Sequence, residues 1–440
     1  MITELKITNF RSLREVWLDN LQPVNLLIGP NNSGKSNILK ALKFFSEFLE
    51  EKIPERDQLQ PLFYQLTQES NPIEADPISI QFVTILPDKK LPLGFGGMAV
   101  SHFKNGSDIP SFAAVYSKSN DAPKHIELSI SNVDLLDKQF EEFEVVYHNY
   151  PIINSTTNNI TSVSGGHGYL GTKYLKQNSS LSKITTLPNP ALSYLKTDVS
   201  LPIFTPFHSL KIFRLEPSKL LELYPIQNER SVHEDAGNLV AFLQTMRNEY
   251  EGIYNTIKED LQRFVPEFKS INFKVVDNPP RELQEKYINK SLAKIGLTDK
   301  FGRIFWADSL SEGTLYFLSL LCIIHQPEPP KLLLLEEPEK GIHPRRIRET
   351  MDLIFELAAE KNIQVILTTH STAVVDTFAD IPEAVYIVER VAQQTIVKNL
   401  QRDVIETHKA QFEAAGEEPI RFTDALGEHW AMGFLGGVPE

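Results

Sequence analysis

Polar and apolar side chains alternate with a period of two over Glu4-Leu5-Lys6-Ile7-Thr8-Asn9-Phe10, which predicts a half-buried strand. A second strand includes Val16-Trp17-Leu18. A third, Val24-Asn25-Leu26-Leu27-Ile28, is nearly all apolar and runs into a Gly-Pro-Asn-Asn turn. The period then changes. Ile38, Leu39, Leu42, Phe45 and Phe48 share one face of a helix predicted over Asn37 to Glu51, and Pro54 closes the segment. Strand character returns at Ile78-Ser79-Ile80-Gln81-Phe82-Val83. Asn154 to Gly168 is rich in Asn, Ser, Thr and Gly, the composition of a surface loop or mobile insertion. Gly237 to Phe264 reads as helical, with Leu239, Phe242, Leu243, Met246, Tyr250, Ile253 and Ile257 at helical spacing.

From Phe305 the rhythm is dense. Leu315 to Ile324 reads as an apolar helix, Lys331 to Leu335 as a buried strand and Pro344 to Glu360 as a helix. Val365-Ile366-Leu367 and Ala384 to Val388 read as further strands. Short apolar strands alternating with helices imply an α/β fold with a parallel sheet covered on both faces. That fold is split, with one half in 1–90, the other in 301–400, an inserted, partly helical and irregular lobe in 91–300, and a tail in 401–440. Neither internal repeats nor sustained heptads occur, so the insertion is no long coiled coil.

Composition narrows the classes. No apolar run reaches the roughly 20 residues of a membrane helix, and Met1 to Lys6 has no signal-peptide pattern, so a cytoplasmic, membrane-free chain is expected. The single cysteine, Cys322, excludes an intramolecular disulfide framework and a Cys-based metal site. The net charge of −13 means that any nucleic-acid contact needs a local basic patch or a second protein.

The chemistry concentrates at four places. Gly29-Pro30-Asn31-Asn32-Ser33-Gly34-Lys35-Ser36 matches G-x-x-x-x-G-K-S/T at every fixed position, between a buried strand and an amphipathic helix. Backbone N–H groups and the helix N-terminus there offer partial positive charge to phosphates. Lys35 reaches the β- and γ-phosphates, and the Ser36 hydroxyl binds Mg²⁺. Leu332 to Leu335 lead into Glu336-Glu337-Pro338, a buried strand ending in adjacent carboxylates. The first acid suits Mg²⁺, although Asp is usual there, and the second suits polarising an attacking water. Leu310-Ser311-Glu312-Gly313-Thr314 precedes an apolar helix, and reads either as a second small anion site or as a simple helix cap. Val365-Ile366-Leu367-Thr368-Thr369-His370-Ser371 sets a histidine just past a buried strand.

Together with Asn9-Phe10-Arg11-Ser12, Glu336-Glu337-Pro338-Glu339 and Gly341-Ile342-His343-Pro344, these motifs resemble the ABC-type ATPases of the RecF/SMC/OLD group. Their wording is most similar to the OLD branch. The resemblance covers roughly the first ninety and last hundred and forty residues, and is weaker at Gly237–Phe264. It implies an ABC-type P-loop fold with a mixed sheet, ATP and Mg²⁺ as ligands, and a head-to-tail homodimer. Ser311 and Gly313 of one copy would touch the γ-phosphate bound by the other. Glu337 would be the base, His370 the switch histidine and Gly341-Ile342-His343 the cross-dimer contact. Gln81 is a candidate for the glutamine loop. Too few residues follow His370 for the Toprim nuclease domain of OLD proteins. The resemblance therefore implies a regulatory ATPase beside a separate Toprim-like effector, as in the PARIS and AbiL-like anti-phage systems. Two other readings stay open, namely a RecF-like clamp on duplex DNA and a scaffold with vestigial hydrolysis. The apolar tail, with Leu426, Trp430, Phe434 and Leu435, reads either as docking on a partner or as packing on its own core.

Overall fold

The computed structural model describes residues 1–50, 78–85, 93–102, 108–117, 142–149, 165–171, 202–208, 210–340 and 342–437. The N-terminal alternation folds as β1 (Ile2–Phe10), paired antiparallel with β2 (Leu13–Leu18). Leu5 and Ile7 are buried from β1, as the period requires, and Phe10 is buried out of step with them, after Asn9 turns the chain at φ 58°. β3 (Val24–Ile28), buried at every position, leads through the glycine turn into α1 (Lys35–Leu49). β4 (Ile78–Ile85), β5 (Leu93–His102), β6 (Asp108–Ser117), β7 (Glu142–Asn149) and β8 (Gly165–Gly171) extend the first sheet in the order β2-β1-β4-β5-β6-β7-β8. On α1, Phe45 packs edge-on against Phe207 at 4.7 Å and against Phe82 of β4 at 5.7 Å, an aromatic cluster that fixes the helix beside the sheet.

A second compact unit takes Lys211–Asp380 with Thr423–Ala431, and the remainder of the chain belongs to the first. The second unit opens with β9 (Ile212–Phe213), β10 (Tyr224–Pro225), α2 (Leu239–Glu249), α3 (Glu251–Phe264) and β11 (Phe268–Val276). β12 (Leu292–Asp299) and β13 (Ile304–Trp306) complete an antiparallel sheet with β10 and β11. Then follow α4 (Glu312–His325), β14 (Leu332–Glu336), α5 (Pro344–Lys361), β15 (Gln364–Thr368) and α6 (Thr372–Asp376). β14 pairs in parallel with β15 and with β9. Back in the first unit, β16 (Val385–Val391) runs parallel to β3 and antiparallel to β17 (Gln394–Asn399). α7 (Glu406–Ala415) follows there, and α8 (Leu426–Ala431) belongs to the second unit. Parallel and antiparallel pairs on one strand make this the mixed α/β fold expected.

Three expectations need correction. The helix expected from Gly237 to Phe264 breaks at Tyr250, whose φ of −132° and ψ of 55° are not helical. The two pieces sit in different surroundings: α2 buries most of its length, α3 only Ile257 and Leu261. The loop expected over Asn154 to Gly168 ends in strand, because Gly165 to Gly168 pair with β7, while 154–164 lie outside the described residues. The described residues of the expected lobe at 91–300 begin as strands of the first sheet, and helices come only later. The glycines of β5 and β8 gave those strands little apolar alternation for a sequence reading to find.

The tail packs on its own chain: Leu426, Trp430 and Leu435 are buried. Gly427 lies so close to α6 that a Cβ there would stand 2.4 Å from the Thr372 carbonyl oxygen, and its N–H donates to Asp376 Oδ1 at 2.7 Å. Phe434 and Met432 remain exposed. Among the described residues no helix is long and apolar enough to cross a membrane.

Candidate functional site

In the first unit the loop Gly29–Ser36 takes a shape that its glycines permit. Gly29 has φ 149°, Gly34 φ 113° and Asn32 φ 63°, all in the left-handed half of the map. A Cβ on Gly29 would stand 2.0 Å from the Val388 carbonyl oxygen of β16, and one on Gly34 would stand 2.2 Å from Thr395 Oγ1 of β17. Close approach of two strands therefore excludes side chains at both positions. The side chain of Lys35 is drawn into the loop, 6% exposed, and its ammonium donates to the carbonyls of Gly29 at 2.7 Å and Pro30 at 2.8 Å. Ser33 Oγ is buried with no hydrogen-bond partner. Such an orphaned hydroxyl, with a buried cation and the N-terminus of the 15-residue α1, makes an anion cradle.

Thr395 holds this loop from beneath, although no motif contains it. Its hydroxyl donates to the Ser33 carbonyl at 2.8 Å and lies 2.7 Å from Ser12 Oγ. Its N–H donates to the Ser12 carbonyl at 2.9 Å. Asn37 Nδ2 donates to Ser12 Oγ at 2.9 Å, so the turn after β1, the start of α1 and the start of β17 share one hydroxyl network. Arg11 beside it is exposed, with φ 53° and its guanidinium 5.7 Å from the Phe10 ring.

In the second unit, β14 delivers Glu336 at its end and Glu337 one residue beyond. Glu337 holds φ 50°, a left-handed conformation that costs a non-glycine residue of order 1 kcal/mol. Its N–H donates to the Thr368 carbonyl at 3.1 Å, which ties the strained residue to the end of β15. His370 Nε2 lies 3.8 Å from Glu337 Oε1, and both side chains are partly open to solvent. The turn thus sets a carboxylate beside an imidazole.

Glu339, two residues on, has no role that the motif predicts. Its Oε1 accepts from Thr369 Oγ1 at 2.7 Å and from the His370 N–H at 3.0 Å, while Oε2 is sealed from solvent without a partner. Burial pushes its carboxyl pKa up, against those two donors, which pull it down.

Ser311 sits exposed at the N-cap of α4, where its Oγ accepts from the Thr314 N–H at 3.1 Å and lies 2.7 Å from Thr314 Oγ1. The capping reading is therefore met locally. Gly313 is buried, and a Cβ there would press within 3.1 Å of the Arg346 side chain. Ile342 is buried and His343 caps α5, accepting from the Arg345 N–H at 3.3 Å, while Gly341 lies outside the described residues. Gln81 stands inside β4, paired on both sides, rather than at the end of a strand.

The Ser36 hydroxyl in the first unit and the Glu336 carboxylate in the second are each oxygen donors of the kind that suits a hard divalent cation such as Mg²⁺. Among the described residues no group of three His, Cys, Asp or Glu side chains could hold a metal alone.

A family model for the AAA ATPase domain (AAA_15) matches residues 1–375. Two uncharacterized proteins of Methanocaldococcus jannaschii match locally. One is 49% identical over 45 residues (10% of this chain, 20% of that protein) and the other 46% identical over 44 (10% and 13%). A phosphonates import ATP-binding protein of Rhodopseudomonas palustris is 33% identical over 87 residues, 20% of this chain and 30% of that protein. The chain thus spans no more than 30% of the length of these relatives. Among solved structures, an SMC head bound to the C-terminal winged-helix domain of ScpA superposes with a TM-score of 0.50 at 14% identity, covering 90% of this chain and 97% of that one. An SMC head domain from Thermotoga maritima gives 0.44 at 12% identity, covering 90% and 98%. The first superposition speaks for the fold alone.

Proposed function

This chain belongs to the AAA ATPase domain family, and from that premise we propose that it binds ATP–Mg²⁺ at Gly29–Ser36 and hydrolyses the ATP as a head-to-tail dimer. One observation carries the reading. A complete phosphate loop has its lysine drawn inward and a buried Ser33 hydroxyl left for an acceptor. Bound Mg²⁺ would neutralise charge on the β- and γ-phosphates. Lys35 and the loop N–H groups bind and orient the phosphates; Ser36 and Glu336 hold the cation. Glu337 accepts the proton of the attacking water, and His370 beside it orients the γ-phosphate. Ser311 and Gly313 of a second copy would complete the site, which the exposure of Ser311 supports.

Glu337→Gln tests this directly. The amide keeps the shape but cannot take a proton, so ATP turnover should fall by about 10² to 10⁴-fold while nucleotide binding persists. Light scattering should then find an ATP-dependent dimer. Turnover at the parent rate in that variant would overturn the assignment of the base. By resemblance to OLD-like defence pairs, the ATPase would govern a separate Toprim-like effector. Co-purification of the native complex tests that step, since it reports effector and stoichiometry together.

A second reading, a DNA-binding clamp, has one observation in its favour. Residues 268–308 carry eight Lys and Arg against five Asp and Glu, within a chain of net charge −13. On the outer face of β11 to β13, Trp306 lies over Gly296 with the ammonium groups of Lys274 and Lys294 at 6.0 and 5.6 Å from its ring. An aromatic flanked by cations suits a polyanion with stacking bases. Fluorescence anisotropy with labelled duplex and single strands, against Lys274→Glu/Lys294→Glu, decides it. Binding that this pair of changes leaves intact excludes this face.

A further inference from the structure

His370 is exposed just past β15, yet the role given to it needs a fixed ring. Its Nε2 lies 3.8 Å from Glu337 Oε1, beyond a hydrogen bond. What holds the loop is a buried oxygen. Glu339 Oε1 takes both the His370 N–H at 3.0 Å and the Thr369 hydroxyl at 2.7 Å. Thr369 Oγ1 in turn accepts the Ser371 N–H at 3.0 Å, so one carboxylate oxygen orders three consecutive residues. Thr369 is fully buried, which leaves that hydroxyl no water to replace the carboxylate.

The same carboxylate has a cost. Oε2 is sealed away with nothing bonded to it, and leaving such an atom buried costs about 1–3 kcal/mol. A glutamate aimed at solvent would avoid this. The position also lies two residues after Glu337, on the turn whose strained backbone places the proposed base. The carboxylate therefore spans the two short segments that carry the base and the histidine: Glu337 through the chain, His370 through Oε1. The Glu337 N–H bond to the Thr368 carbonyl is a second tie between the same two segments.

We propose that Glu339 is a positioning residue that latches the His370 loop to the carboxylate turn, setting the imidazole opposite Glu337. This rests on the reading of Glu337 and His370 as the hydrolytic pair. It adds a residue that touches neither substrate nor cation.

The test uses the full chain and two readouts. Hydrogen exchange on the nucleotide-free protein should show the amides of 369–371 opening about 10-fold faster in Glu339→Ala, with distant segments unchanged. Thr369→Val, which removes one of the two donors, should give a smaller rise and guards against a variant that fails to fold. In turnover, Glu339→Ala should lower kcat by about 10-fold with KM within about 3-fold, and Glu339→Gln, which keeps an acceptor oxygen, should recover most of the loss. Glu339→Ala should add little in a His370→Ala background, because both act through one ring. Unchanged exchange at 369–371 overturns the latch, and so does an equal kcat loss with and without His370. Should the parent protein hydrolyse no ATP, the ATPase reading falls while the exchange measurement still decides the latch.

Discussion

Thr395 is the residue on which the phosphate loop leans, and its hydroxyl makes two contacts that a methyl cannot replace. Thr395→Val leaves the Ser33 carbonyl and the Ser12 hydroxyl short of a partner in a buried place, at about 1–3 kcal/mol. Part of that loss falls on the loop, so calorimetric ATP affinity should drop about 10-fold, while Thr395→Ser should bind as the parent does. The glycines and Lys35 were legible in the sequence because a phosphate loop is local, eight residues bounded by a strand and a helix. Thr395 was not. It lies 362 positions from Ser33, and only the pairing of β16 with β3 brings it there. Glu339 was hidden for another reason: in the string it is one more acid after Glu336 and Glu337, and only burial sets it apart.

At the scale of elements, periodicity found those with one apolar face and lost those without. β3, α1, β14, α5 and β15 fell within about two residues of their predicted bounds, the usual scatter at element ends, and α4 begins three residues before Leu315. β5 to β8 escaped: β5 and β8 are glycine-rich and mimic loops, while β6 and β7 carry apolar residues without a clean alternation. α4 raises a question that the sequence left open, because Ser311 is both a helix cap and a candidate phosphate contact. Two substitutions separate these roles. Ser311→Ala should cost about 1 kcal/mol of stability, and Ser311→Asp, an equally good cap, should restore it. Neither should restore ATP turnover, because neither supplies a hydroxyl donor. Full turnover in Ser311→Asp would reduce the residue to its cap.

The other end of α4 carries a pH dependence. His325 Nε2 lies 2.6 Å from Asp260 Oδ2 of α3, with Lys361 and Glu360 of α5 also facing it. Burial lowers its pKa, outweighing the pull of Asp260. The folded state then binds fewer protons than the unfolded one, whose histidine titrates near 6.5, so stability falls as pH drops through about 6.5. Urea midpoints should decrease from about pH 7 to about pH 5.5, and His325→Gln should flatten that slope.

For the whole molecule, the decisive issue is whether one chain suffices for a turnover. The loop at Gly29–Ser36 and the Ser311 helix start lie in different units of the chain, and the head-to-tail reading requires each active site to draw them from different copies. That requirement has an arithmetic consequence. Lys35→Ala and Ser311→Ala should each be inactive alone, since every site in either homodimer lacks one half. Mixed in equal amounts, half of the dimers formed pair one variant with the other. Each such dimer holds one site with both halves intact and one with neither, so the mixture should recover about a quarter of the parent rate. Recovery should rise with protein concentration, as association demands, and should vanish when the Ser311→Ala variant, the chain that supplies the intact phosphate loop, also carries Glu337→Gln. A chain that worked alone would show no recovery at any ratio, and Ser311 would then have no partner site to complete.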